Sequence, residues 1–320
     1  MLIIGFALLI VGADLLVKGS SNIAKKFHIP EMLIGLTIVA IGTSMPELII
    51  TISSASSNAT DLIIGNAIGS NLCNLLLIMG ITAFLRPIEI DNETKLIHLP
   101  VALFSTIVVL FLGLEILGSP NHTISRNDGI ILVVLYILYF IYPIIIEVKD
   151  IKNSVEENKK KHIKSKNILL SLFWVVLGIV LLKIGGDLVV NKSTEIAMRY
   201  GISERVIGLT IVAIGTALPE LITSIVAVIK KEEDLAVGNL IGSCILNFFL
   251  ILGTGAIIIS LSISIEFIYN LILLAFSVLL ILVCCFIGKK NTITKPKAIL
   301  LLTIYLCYMI NLFKWFKELQ

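Results

Sequence analysis

A shift of 173 residues superimposes the two halves of the chain without a gap. Residues 34–80 and 207–253 share 26 of 47 positions, including an unbroken IGLTIVAIGT at 34–43 and 207–216. Identity of that density in a single register marks an internal duplication. Asp14 and Asp187 fall in the same register, so the duplication reaches back toward the start of each half. Hydropathy limits what the duplicated unit can be. Apolar stretches of about 17–25 residues recur from end to end, each long enough to cross a hydrocarbon core of about 30 Å. Only helices satisfy their own backbone there, apart from closed barrels. The chain is 57% hydrophobic and 15% charged, with a mean hydropathy of +1.03, values that exclude a soluble domain.

Ten spans are predicted, at approximately 1–24, 31–56, 61–84, 96–117, 129–147, 167–190, 204–230, 235–260, 265–287 and 297–316. The expected fold is an all-α membrane protein of ten transmembrane helices, built as two five-helix repeats at 1–147 and 167–320. A Lys-rich cytoplasmic loop at 148–166 joins them. Five is odd, so equivalent spans must cross the bilayer in opposite directions and the repeats are inverted. With both termini outside, eighteen Lys and Arg fall in cytoplasmic segments and six in external ones, which fixes the orientation in the cell membrane. The first apolar stretch runs on as a helix with no small-residue cleavage site, so it is expected to stay as a span.

The net charge of +3 is spread over loops, so no nucleic-acid partner is implied. The five cysteines lie in apolar spans without CxxC or His/Cys spacing and read as packing residues. None of the four histidines lies in a repeated motif, and no HExxH or paired catalytic Asp occurs, so an enzyme is not expected. A channel would normally arrange rotational copies around a pore. Inverted copies within one chain point instead to a secondary transporter with a site near the membrane midplane.

Two repeated motifs carry polar groups into the spans. GTSMPE (42–47) is mirrored by GTALPE (215–220). Pro46 and Pro219 cannot donate to the carbonyls of Gly42 and Gly215, which breaks the helix. Such a break survives in a membrane only where it lines a buried or wet cavity. Freed carbonyls and the hydroxyls of Thr43 and Thr216 are hard oxygen ligands. Glu47 and Glu220 sit mid-span, where a carboxylate costs at least about 2.5–3.5 kcal/mol. The one mid-span lysine, Lys183, has its own partner in Asp187 one turn on, so a bound cation or a proton is the better partner for the glutamates. The second motif, GNAIGSNLCN (65–74), is mirrored by GNLIGSCILN (238–247). It places Ser70 with Asn74, and Ser243 with Asn247, on one helix face each. Two carboxylates, two amides, hydroxyls and carbonyls, with no matched His, Cys or Met, select a hard cation such as Ca²⁺, Na⁺ or Mg²⁺.

At these motifs the chain resembles the cation/calcium antiporter superfamily, on the sodium/calcium exchanger branch, of the prokaryotic type without a large regulatory loop. The resemblance covers the whole chain and implies a secondary antiporter that exchanges several Na⁺ for one Ca²⁺ by alternating access, with net charge moved. It implies that Glu47 and Glu220 bridge the central ion sites and that Thr43 and Thr216 lend oxygens to calcium. Ala40 and Ala213 would give backbone carbonyls, and Ser70, Ser243 and Ser44 hydroxyls, to sodium. Asn74 and Asn247 would complete a middle site, and spans one and six would slide over a rigid core. Ca²⁺ and Na⁺ bind as substrates, no resident cofactor is expected, and the chain is expected to work as a monomer in the bilayer. The alternative is a calcium/proton antiporter, since paired buried carboxylates also exchange protons. Two departures from the family matter. Ser44 is matched by Ala217, where the family often has serine. Position 247 is Asn, where the potassium-dependent branch typically has Asp.

Overall fold

The computed structural model describes residues 1–114, 123–157, 167–200, 213–287 and 291–318. The helices are α1 (Leu2–Phe27), α2 (Glu31–Thr43), α3 (Met45–Ser56), α4 (Thr60–Leu85), α5 (Thr94–Gly113) and α6 (Arg126–Glu157) in the first half. The second half has α7 (Ile168–Arg199), α8 (Ala213–Thr216), α9 (Leu218–Ile229), α10 (Glu233–Ile258), α11 (Ile265–Phe286) and α12 (Lys295–Glu318). Among the described residues, seven helices are long and apolar enough to span a membrane, and α2 with α3 forms an eighth span bent by 45°. The protein is a multi-pass, all-helical membrane protein.

Most helices lie within a few residues of the predicted spans. Two run longer. α6 continues through residues 148–157, into what the sequence analysis assigned to the loop, and α7 continues nine residues past 190. In both cases Lys, Glu and other good helix formers extend a helix already nucleated in the apolar stretch. Residues 158–166 and the first part of the predicted span 204–230 lie outside the described residues.

Several elements recur at equivalent positions in the two halves. Helices α3 and α9, and α2's last turn and α8, coincide residue for residue under the 173-residue shift, as do the short strands β1 (Ile88–Glu89) and β3 (Leu261–Ser262). Each strand pairs with the other half. β1 is antiparallel to β4 (Thr292–Ile293), and β2 (Thr123–Ile124) is antiparallel to β3.

Helices α4 and α10 form the centre. The apolar window of α10 is 94% buried and that of α4 72%, whereas that of α7 is 28% buried. Large apolar side chains such as Ile3, Phe6, Leu170 and Phe173 are exposed along the outer faces of α1 and α7, where lipid replaces water. α1 and α7 meet along a seam of glycines. A Cβ on Gly12 would lie 2.9 Å from the Gly178 carbonyl, and one on Gly178 would lie 2.7 Å from the Gly12 carbonyl. Gly5 faces Gly185 and Gly19 faces Ser171 in the same way. As numbers climb along α1 they fall along α7, so these equivalent helices run antiparallel with their backbones in contact.

At one end of α1 an ionic cluster ties it to the core. Lys25 Nζ lies 2.8 Å from Glu232 and 3.2 Å from Glu31, and donates to Ser21 Oγ at 2.8 Å. Lys230 reaches Asp14 at 2.6 Å. In the other half Met198 stands in the place of Lys25 and Ala59 in that of Glu232, so the tie is not duplicated.

Candidate functional site

Both repeated PE motifs sit at helix breaks. Ser44 (φ −86°, ψ 10°) separates α2 from α3, and Ala217 (φ −84°, ψ 2°) separates α8 from α9. Pro46 and Pro219 occupy the first turn of the new helix, where a missing amide hydrogen costs nothing. Glu47 and Glu220 follow them in that same turn, where the unpaired backbone amides of a helix start favour negative charge. The expected break is therefore present in both copies. It turns two helix N-termini, each carrying a carboxylate, into the protein interior.

The polar residues singled out from the sequence converge there. Glu47, Glu220, Thr43, Ser44, Ser70, Ser243, Asn74 and Asn247 are all buried, as is Thr216. Ser44 Oγ lies 3.0 Å from Glu220 Oε1 and 3.0 Å from Ser243 Oγ, and Ser70 Oγ donates to Glu47 Oε1 at 3.4 Å. Thr216 stands close to Glu47, and Thr43 and Ser243 stand close to Glu220. Thus a threonine from one half neighbours the glutamate of the other, in both directions. Ala40 is buried, and its carbonyl accepts from the Ser44 amide at 3.0 Å and from Thr43 Oγ1 at 3.4 Å. Ala213 opens α8, and its side chain lies outside the described ones.

Four oxygens in this cluster have no hydrogen-bond partner among the described residues: Glu47 Oε2, Glu220 Oε2, Asn74 Oδ1 and Asn247 Oδ1. They form two pairs equivalent under the duplication. Among the described residues no basic side chain pairs with either glutamate. Lys183 is committed to Asp187 at 2.9 Å, as the sequence analysis expected. Buried acceptors left without donors cost free energy, and carboxylates most of all. The deficit here is of positive charge and of partners for oxygen lone pairs, and a hard cation coordinated by these oxygens would meet both.

The amides explain why it is oxygens that are left over. Asn71 Nδ2 donates to the Cys244 carbonyl at 3.1 Å, which turns its Oδ1 toward Asn247. Asn247 must then present its nitrogen, at 3.0 Å, and its own Oδ1 remains without a donor. Asn71 escaped the sequence analysis because its equivalent is Cys244 and the repeat gives no signal. Asn239 also escaped. Its Oδ1 accepts from Thr43 at 3.0 Å and its Nδ2 donates to Ser224 at 3.3 Å, so it orients Thr43. The signal was present, because Asn66 and Asn239 match in the GN of both motifs.

A cavity of about 130 Å³ adjoins the cluster on the α7 side. Thr216, Gly215, Pro46 and Pro219 line it together with Lys183, Asp187 and Asn191 of α7. Thr216 is the cluster residue that reaches this cavity, whose other wall is a polar stretch of an otherwise apolar helix.

A family model described as sodium/calcium exchanger protein matches residues 1–145 and 170–314. The chain belongs to the sodium/calcium exchanger family. Among relatives in this family, the putative antiporter CaxA of Alkalimonas amylolytica is 33% identical over 319 residues, covering 97% of both chains. The sodium/calcium exchanger MaX1 of Methanosarcina acetivorans is 30% identical over 345 residues, covering 98% of this chain and 97% of its own. The solved structure of the sodium-calcium exchanger NCX_Mj superimposes with a TM-score of 0.81 at 30% identity, covering 96% of each chain. The family resemblance read from the motifs is therefore shown, and these relatives are transporters rather than enzymes.

Proposed function

We propose that the chain is a secondary antiporter that exchanges Na⁺ for Ca²⁺ around a midplane site. The observation that carries this reading is the set of four partnerless oxygens on Glu47, Glu220, Asn74 and Asn247, buried among hydroxyls with no basic side chain among the described residues to neutralise them. Two carboxylates balance one divalent ion, and monovalent ions sharing the same oxygens balance them as well. In this reading Thr43 and Thr216 lend oxygens to calcium. Ser70, Ser243, Ser44 and the carbonyls of Ala40 and Ala213 serve sodium.

The architecture in this proposal is ten spans in two inverted repeats. The antiparallel course of α1 against α7, and the exchange of strands between halves, support it. Both termini lie outside, the 148–166 segment is cytoplasmic, and α1 and α7 move together over the core, opening the site to one side at a time. The deciding experiment is calcium flux in proteoliposomes with each monovalent gradient imposed in turn. Sodium should drive it and a proton gradient should not. With more than two Na⁺ leaving per Ca²⁺ taken up, an inside-positive potential should speed calcium uptake. Insensitivity to potential would rule out net charge movement.

Potassium should not be needed. Asn247 uses its amide nitrogen to satisfy Asn71, a donor that an aspartate lacks. Omitting potassium from both sides is expected to leave sodium-driven flux unchanged. A strict potassium requirement would contradict the role given to Asn247.

The two halves should also differ in their response to sodium. Ser44 gives Glu220 a hydroxyl, whereas its equivalent Ala217 is fully buried and has none to give. One such oxygen contributes on the order of 0.5–1.5 kcal/mol, a few-fold in affinity. Ala217→Ser is expected to strengthen sodium activation a few-fold on one membrane face, and Ser44→Ala to weaken it on the other, with smaller changes for calcium. Sided sodium titrations in oriented vesicles test this. Shifts on the same face would refute the placement.

A further inference from the structure

Lys183 lines the cavity beside the candidate site, where a cation pathway would be expected to carry only acidic or neutral groups. It holds Asp187 at 2.9 Å one turn along α7, and both side chains are about half exposed. Asn191, one turn further, and Thr216 on the facing element line the same space. The duplication makes the lysine conspicuous. Asp187 is equivalent to Asp14, but Lys183 is equivalent to Ile10, so α1 carries no lysine of its own one turn before its aspartate. Asp14 is instead paired with Lys230, which comes from the end of α9.

We infer that the Lys183–Asp187 pair is a selectivity-determining element: a tethered cation on one access route that disfavours divalent ions more than monovalent ones. The inference rests on the cation-exchange reading above and adds a property to it. A fixed charge raises the energy of an approaching ion in proportion to that ion's charge. If the lysine lowers occupancy by Na⁺ by some factor, it lowers occupancy by Ca²⁺ by the square of that factor. Asp187 offsets part of this, so the pair as a whole sets the balance between the two ions. In the proposed orientation the C-terminal part of α7 is external, and the effect belongs to the external face.

Lys183→Met removes the charge and keeps the length of the side chain. For a unit charge about 10 Å from the ion across hydrated space, the expected change is about twofold for sodium and about fourfold for calcium. Sided titrations of calcium flux in oriented vesicles, at constant ionic strength with choline as the inert cation, should show both half-saturation concentrations falling on the external face. The internal face should be unchanged, and Lys183→Arg should behave as the wild type. Asp187→Asn leaves the lysine uncompensated and should raise both concentrations by the same rule. That variant keeps the test decisive if the methionine variant folds poorly. Equal factors for the two ions, a shift on both faces, or no shift in either variant would overturn the inference. The ratio of variant to wild type can be measured whichever monovalent gradient drives the flux. Loss of sodium drive in the wild type would therefore sink the exchange reading alone.

Discussion

Replacing either buried glutamate with glutamine is expected to reduce calcium transport by a hundredfold or more while leaving the protein folded. Glu47→Gln and Glu220→Gln preserve side-chain shape, so the hydroxyls around each position keep a carbonyl to donate to. What disappears is one of two negative charges facing a divalent cation away from water. Removing one member of a buried charge pair costs about 3–5 kcal/mol, which corresponds to about two to four orders of magnitude in affinity. The amide nitrogen also brings a donor to the oxygens where the ion would sit. Calcium flux in proteoliposomes, with monodispersity in detergent as the check on folding, tests both variants. Near-normal flux from well-folded protein would remove Glu47 or Glu220 from the site.

The second large effect concerns two adjacent glycines with opposite surroundings. A Cβ at Gly185 would stand 2.8 Å from the Gly5 carbonyl oxygen and 2.8 Å from the Leu9 amide nitrogen. Both are backbone atoms of α1, so they can yield only if the helices part. A Cβ at Gly186 would have Pro219 Cγ as its near contact, at an ordinary 3.9 Å. Gly185→Ala is expected to destabilise the protein by about 1–3 kcal/mol, the usual range for overpacking, and to lower flux severalfold. Gly186→Ala should be neutral or slightly stabilising, because alanine is the better helix former by about 1 kcal/mol. Melting temperatures in detergent for the two variants, measured side by side, decide the matter. Equal behaviour would mean that the α1–α7 seam is looser than described.

Much of this arrangement could be read from the sequence because the chain states it twice. The helix breaks follow from a proline two residues after Ser44 and after Ala217, and the burial of the glutamates follows from their place within apolar spans. Their neighbours Thr43, Ser70, Asn74 and the matching residues of the second half were legible because they recur in register. What the repeat does not copy stayed hidden. Asn71 faces a cysteine rather than an asparagine. Lys25 finds Glu232 more than two hundred residues away, with no equivalent pair to announce it. The glycine seam was hidden for another reason. Single glycines seven apart in a hydrophobic helix look alike whether they face lipid or another backbone, and only the packing distinguishes them. The extension of α6 through residue 157 went unread because its charged residues suggest a loop, although they also form helix well.

Asn71 and Cys244 are equivalent positions, and they touch one another. A contact between equivalents can occur only on the axis that relates the two halves. If the repeat were a separate protein assembling as a homodimer, one residue would have to serve on both sides of that contact. Two asparagines or two cysteines would meet there, and any improvement on one side would be imposed on the other. Fusing the copies into one chain lifts this restriction. An amide on one side can be set against a small thiol on the other, and the amide's orientation then dictates which atom of Asn247 is left facing the interior. The same freedom lets Ser44 and Ala217 diverge, and lets a lysine stand on one flank against an isoleucine on the other. Holding both copies in one chain thus lets the two halves of a duplicated fold diverge where their equivalent residues meet.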